Sequence, residues 1–292
     1  MVELIQIKPE GTIDQIFELD CVYGQDERQK HVDAALKRGL PWCVRRKVRP
    51  GKVAIVASGP SATEFVDLLK GWDGEVWGIN GAFVWMRCRG IEPTAFVGLD
   101  PEPILKGYLK ETPDEATYFL ATQVHADVFD HLAGKTVRLW FPADSQVTYP
   151  AGAVPVYGGT TCLGRAPNLA YLLGYREVHI FGCDSSFTDR SHVYGDTGYP
   201  PGTFPMEMGS RIYMTTRQMV QQACDFTEQM VEWARPGDDG SMPLSVSLYG
   251  DGLLQAMFAQ TLARGAYQQY LRETYPAGLN RKQRRAARRV AG

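Results

Sequence analysis

Val53-Ala-Ile-Val-Ala-Ser-Gly-Pro-Ser61 decides the fold. Its first five residues are small or β-branched and apolar, and read as a buried strand. Ser58-Gly59-Pro60 then turns the chain, because Gly tolerates unusual backbone angles and Pro fixes its own φ. Ser61 followed by Glu64 is a capping box and predicts a helix over Ser61–Lys70. A strand that passes through a tight Gly turn into a helix points backbone N–H groups at the turn, where a phosphate or carboxylate is well held. The same residues equally suit an ordinary βα turn with no ligand.

Working outward, strand and helix patterns alternate. Strands are expected at Glu75–Asn80, Thr94–Asp100, Thr117–Thr122, Thr136–Phe141, Val178–Asp184 and Leu244–Tyr249. Between and after them, helices are expected at Gly81–Arg89, Ile104–Lys110, Ala126–Ala133, Cys162–Leu173, Ile212–Ala234 and Gly252–Leu262, with a loop over 185–210. This alternation indicates βαβ units and a mainly parallel sheet. Apolar strands without strict alternation indicate a sheet covered on both faces. The predicted class is α/β, a Rossmann-like doubly wound sandwich over residues 52–264. Before it, residues 1–51 read as a polar preface with short helices at Ile13–Leu19 and Glu27–Arg38 and no visible chemistry. Residues 265–292 read as a basic tail.

Composition narrows the classes. With 44% hydrophobic and 22% charged residues over 292 positions, the chain reads as an ordinary globular protein. No apolar run approaches the ~20 residues that span a bilayer, and no signal-type start is visible, so the expected location is the cytoplasm. Six cysteines lie scattered without C-x-x-C spacing, as reduced core residues do. Arg281, Lys282, Arg284, Arg285, Arg288 and Arg289 add six positive charges to a chain of net charge −2, so the remainder stands at about −8. Such a run is either a solvated tail or an arm for nucleic-acid phosphates.

Several expected strands end in polar or very small residues: Ser58-Gly59, Asn80, Asp100 and Asp184-Ser185-Ser186. In a parallel sheet these tips share one edge and face one crevice. Asn80 offers a donor and an acceptor for a base or ribose, or else caps the next helix. Tyr157-Gly158-Gly159-Thr160-Thr161 opens a helix and offers a second anion-friendly turn, or a plain loop with a Thr cap. Asp100 with Glu102 suits Mg²⁺, or a helix cap or ribose contact. Among five histidines, His192 lies in the loop beyond the last tip and titrates near neutral pH, as a general acid or base must. His31, His125 and His131 read as helix-surface residues. There is no G-x-x-x-x-G-K-[ST], no G-x-G-x-x-G after the first strand, no G-x-S-x-G and no H-E-x-x-H, which argues against P-loop kinases, dehydrogenases, hydrolase elbows and zincins.

Ser58-Gly-Pro-Ser61, Trp77-Gly-Ile-Asn-Gly-Ala82, Gly90-Ile-Glu-Pro93, Leu99-Asp100, Thr160-Thr161, Leu173-Gly-Tyr-Arg-Glu-Val178 and Phe181-Gly-Cys-Asp184 together resemble the family grouped with archaeal 6-hydroxymethylpterin diphosphokinase (MptE-like). The pattern also resembles bacterial sialyltransferases of the Campylobacter type, and the likeness covers about Lys52 to Tyr249. The resemblance implies a nucleotide-activated donor (a nucleotide sugar or ATP) held by Ser58, Gly59, Ser61, Asn80, Asp100, Gly159, Thr160, Thr161, Asp184 and Ser185. It implies His192 as catalytic base on the transferase side, and Mg²⁺ on Asp100 on the diphosphokinase side. The Asn280–Arg285 ending is similar to tails of phage-encoded proteins. Three functions are therefore expected to compete: glycosyl transfer from a nucleotide sugar, Mg²⁺-dependent diphosphate transfer from ATP, and nucleotide binding without catalysis beside a nucleic-acid-binding tail.

Overall fold

A computed structural model describes residues 5–6, 23–188, 192–193, 198–234 and 242–261. The helix expected over Ile13–Leu19 and the basic run Arg281–Arg289 lie outside the described residues.

The main sheet is built from β2 (Val53–Val56), β3 (Glu75–Ile79), β4 (Ala95–Gly98), β5 (Thr117–Ala121), β6 (Thr136–Pro142), β7 (Pro155–Val156), β8 (Glu177–Phe181) and β11 (Ser245–Tyr249). Their order is β11-β8-β2-β3-β4-β5-β6-β7, and every neighbouring pair is parallel. From β2 the chain steps outward strand by strand to β7, then returns to the far side of β2 as β8. The direction of winding therefore reverses between β2 and β8. At such a reversal the flanking loops diverge to opposite faces and leave a crevice at the strand carboxyl ends.

Helices cover both faces, and consecutive residues of β2 show it. Val53 and Ile55 join an apolar cluster with Leu163, Leu169 and Phe226, from α5 (Cys162–Leu172) and α6 (Arg217–Trp233). Ala54 and Val56 join a second cluster with Ala82, Trp85 and Met86, from α3 (Gly81–Cys88). All four β2 residues are fully buried, as a strand sandwiched between helix layers must be. α1 (Gln25–Lys37) packs against α4 (Ala126–His131), so the expected preface lies against the domain. Its following segment joins the sheet margin through a bridge from Trp42 to Leu139 of β6.

Four local expectations are corrected. The Ser61–Glu64 capping box does not form: Pro60–Phe65 is a 3-10 segment without a side-chain cap, and the α-helix is only α2 (Val66–Lys70). The 185–210 loop contains β9 (Phe204–Met208), and the expected start of the Ile212–Ala234 helix is β10 (Arg211–Thr215). These two strands form an antiparallel hairpin, with β1 (Ile5–Gln6) beside β9, as a small second sheet. Helix α6 starts only after Thr216, whose side chain accepts from the Met219 amide at 3.3 Å. Ile104–Lys110 likewise settles as a 3-10 turn over Pro103–Tyr108. No helix among the described residues is long and apolar enough to cross a membrane.

Candidate functional site

At the reversal, the tips of β2 and β8 are pinned together. The Gly59 amide donates to Gly182 O at 2.8 Å, and a Cβ on Gly59 would collide with that oxygen and with the Asp184 carboxylate. Asp184 accepts from the Ser61 amide at 2.9 Å and from the Ser61 hydroxyl. The Ser61 amide that a capping box would offer to the Glu64 carboxylate is thus taken by Asp184, and the box does not form. The Ala62 amide is spent on Gly59 O. The amides expected to cradle an anion at this turn therefore serve the fold. Burial pushes the Asp184 carboxyl above its usual range, opposed by the two Ser61 bonds and reinforced by Glu64 and Asp251.

Beyond this pin lies a cleft of about 330 Å³. It gathers Ser58, Gly59, Asn80, Thr161, Asp184, Ser185 and His192, brought from four separate parts of the chain. Ser61 instead faces a shallow basin on the other side of Asp184, with Glu64 and Asp251. Cys162 and Cys183 also line the cleft; burial holds both thiols well above their ordinary range, so they stay protonated.

Asn80 follows β3 with φ +47° and ψ −126°, a positive-φ conformation outside the left-handed helical region that suits Gly and strains other residues. It does not cap α3 through its side chain. Its Nδ2 donates to Asp100 Oδ2 at 3.0 Å, and its Oδ1 is buried without a partner among the described residues. Asp100 is pushed above the usual carboxylate range by burial, with Glu102 adding to the effect and the Asn80 bond opposing it.

Asp100 belongs to a second, larger chamber of about 760 Å³, shared with Thr160 and Thr161. Thr161 lines both volumes and caps α5 through Gly164 N at 3.1 Å. Gly159 in the turn before α5 is directed elsewhere: it abuts the Asp225 side chain, and Asp225 Oδ2 accepts from the Thr160 amide at 3.3 Å. An internal carboxylate thus stands where an anion was expected, and Gly159 lines neither volume.

The chamber also contains residues that gave no sequence signal. Arg28 pairs with Asp144 at 2.8 Å, both side chains 13% exposed. Arg165 donates to the carbonyls of Gly159, Ala143 and Val156, and burial lowers its pKa. Tyr23 and Gln218 complete opposite walls. The preface expected to carry no chemistry therefore contributes Tyr23 and Arg28.

His192 is half-buried at the cleft margin, and burial lowers its pKa. Its neighbour is anchored, since the Val193 amide donates to Ser58 O at 2.9 Å. The remaining histidines have structural partners: His131 is exposed on α4, as expected, while His31 and His125 are half-buried. His31 Nδ1 meets Gln123 O, His131 Nε2 meets Leu109 O, His179 lies between Tyr249 and Glu177, and His125 accepts from Asp127 N. Among the described residues, no three His, Cys, Asp or Glu side chains are grouped to hold a metal ion.

Residues 42–190 match the family described as 6-hydroxymethylpterin diphosphokinase MptE-like. The chain belongs to the MptE-like family. The matched stretch runs from Trp42 past β8, so it takes in Ser58, Asn80, Asp100, Thr161 and Asp184 and stops just short of His192. The fold is similar to that of the MAf glycosyltransferase from Magnetospirillum magneticum AMB-1, with a TM-score of 0.60 and 18% identity. That likeness covers 84% of this chain and 42% of the other, so the MptE-like chain spans less than half the length of that enzyme. No curated protein matches the chain.

Proposed function

We propose that this MptE-like protein is a transferase acting on a nucleotide-activated donor, and that the transferred group is a glycosyl unit. One observation carries the reading: Ser58, Asn80, Ser185 and His192 meet in a single cleft where the strand order reverses. Next to it, across Thr161 and the Asn80–Asp100 bond, lies the larger chamber. Two adjoining volumes of this size suit two substrates.

In this reading the nucleotide lies in the smaller cleft. The unpartnered Asn80 Oδ1 accepts from a base or ribose donor, and the hydroxyls of Ser58, Thr161 and Ser185 face the phosphate. The acceptor enters the larger chamber. His192, neutral at physiological pH because burial disfavours its charged form, takes the proton of an acceptor hydroxyl. The oxygen then bonds to the sugar carbon as the bond from that carbon to the nucleotide phosphate breaks.

Diphosphate transfer from ATP is the second reading. It is favoured by the family match and by Asp100 sharing its chamber with Glu102 and Asp144. There Asp100 would hold Mg²⁺, which needs only one or two carboxylates besides phosphate oxygens.

The test is thermal-shift screening against CMP, UDP, GDP and ATP, each with and without Mg²⁺, followed by donor hydrolysis. Hydrolysis of a nucleotide sugar that persists in EDTA and is lost in His192→Ala supports glycosyl transfer. ATP turnover abolished by Asp100→Asn and by EDTA, with His192→Ala silent, overturns it for the second reading.

A further inference from the structure

The opposite end of the sheet, far from the strand tips, holds a further cavity of about 640 Å³. It lies beneath an extended strap, Val44-Arg-Arg-Lys-Val-Arg49, that crosses under the amino ends of the strands. The Cys43 amide donates to Leu139 O on β6, the Arg46 amide to Leu172 O, and the Arg49 amide to Gly174 O. At Gly174, φ +96°, a Cβ would strike Lys47 O, so the strap lies flush against the α5–β8 turn. The strap is thus fixed at both ends and along its length.

Charge around this cavity is one-sided. Arg46, Lys47, Arg49 and Arg138 line it, against the single carboxylate of Glu75. Glu75 is already engaged, accepting from Thr94 Oγ1 at 2.6 Å. Arg49 rests on the Tyr175 ring at 4.6 Å. Among the described residues, none of the four cations has a carboxylate within ion-pairing distance. Nor does the end of α5 require them: Arg176 already donates to Tyr171 O and Tyr175 O there. Arg46, Lys47 and Arg49 are exposed and Arg138 half-buried, so solvent screens their repulsion, but the four together give the cavity a positive field that favours an anion.

We infer that this strap cavity binds a small anion bearing several phosphate groups, at a site separate from the strand-tip cleft. Its volume lies within the ~300–1,000 Å³ of small-molecule sites. Guanidinium groups suit phosphate because their paired N–H donors match its oxygens. The walls suit a nucleic-acid strand poorly: of the lining aromatics Trp77, Phe119 and Tyr175 are buried in the core, and half-buried Trp42 alone offers no succession of stacking faces.

The test uses inorganic tripolyphosphate as probe on the full chain, by isothermal titration at ~0.15 M salt, where weak surface attraction is screened. Saturable binding is expected, weakened at least ~tenfold in Arg46→Gln/Arg138→Gln. The Arg46→Lys/Arg138→Lys pair should recover much of it, and Asn80→Gly should leave it in place. Equal binding by the Gln pair overturns the inference, provided its circular dichroism and thermal midpoint match the native chain. If the Gln pair fails to fold, the Lys pair alone decides, with unchanged affinity and enthalpy counting against the guanidinium contacts. An oligodeoxythymidylate that binds and resists displacement by tripolyphosphate overturns it in favour of a nucleic-acid surface.

Discussion

The Ser61 amide donates to Asp184 Oδ2 at 2.9 Å while the Ser61 hydroxyl donates to Oδ1, tying the end of β2 to the end of β8 across 123 residues of chain. An amide side chain cannot accept both donors. Asp184→Asn therefore leaves a buried donor unmet and should cost about 1–3 kcal/mol. Ser61→Ala removes one bond and should cost about 1 kcal/mol. Urea denaturation reads both, and an Asp184→Asn chain as stable as the native one would remove the pin from the account.

Asp100→Asn should be milder than Asp184→Asn, because Asp100 accepts one bond, from Asn80, where Asp184 accepts two from Ser61. The Asp100 carboxyl is pushed up chiefly by burial, so the folded chain keeps this proton at pH values where the unfolded chain has lost it. The native state then binds more protons, and stability declines as pH rises from the ordinary Asp range through the raised value. Asp100→Asn does not titrate and can still accept from Asn80. Its thermal midpoint should gain on the native chain as pH rises, with the gain fading below pH ~3.9. A difference that stays flat with pH contradicts this.

Asn80 combines a backbone duty with a side-chain one, and two substitutions separate them. Asn80→Gly tolerates φ +47° and should fold with little loss, yet bind nucleotide more weakly because the buried Oδ1 is gone. Asn80→Ala must also adopt this strained positive-φ conformation, at a further cost of about 1–3 kcal/mol relative to Gly. Thermal shift with and without nucleotide separates the two. Equal ligand shifts in Asn80→Gly and the native chain would exclude Asn80 from recognition.

His192 sets the expected pH profile. Burial lowers its pKa, so the base form persists below the ordinary value of ~6.5. The acid limb of kcat/KM for donor transfer should fall below that pH, and His192→Ala should lower kcat by about 10²- to 10⁴-fold. An acid limb that survives the substitution assigns the titration to another group.

The architecture was legible because its signals are local. The apolar run at β2, the Gly turn and the polar strand tips all lie in short windows, and parallel winding alone carries those tips to one edge. What escaped depends on distant partners. Ser61 looked like a helix cap because Glu64 is close in sequence, whereas Asp184 is not. Gly159 looked like an anion turn because Asp225, on a helix 65 residues on from Thr160, gave no hint of its position. Tyr23 and Arg28 reach the chamber only through the packing of α1 on α4. The hairpin inside the 185–210 loop did leave a trace: Gly209, φ +61°, and Ser210 form a two-residue connection of the kind that suits antiparallel strands. Pro205 and weak alternation obscured it.

The return of the chain to the far side of β2 has a consequence for biosynthesis. A nascent protein that has emerged only as far as β7 holds six of the eight main strands, yet has one wall of the strand-tip cleft, the proposed nucleotide site, missing. Until β8 docks, Ser61 has no carboxylate to grip, and His192 has yet to be made. Nucleotide capture should therefore report completed folding, and no amino-terminal fragment ending before Asp184 should show it.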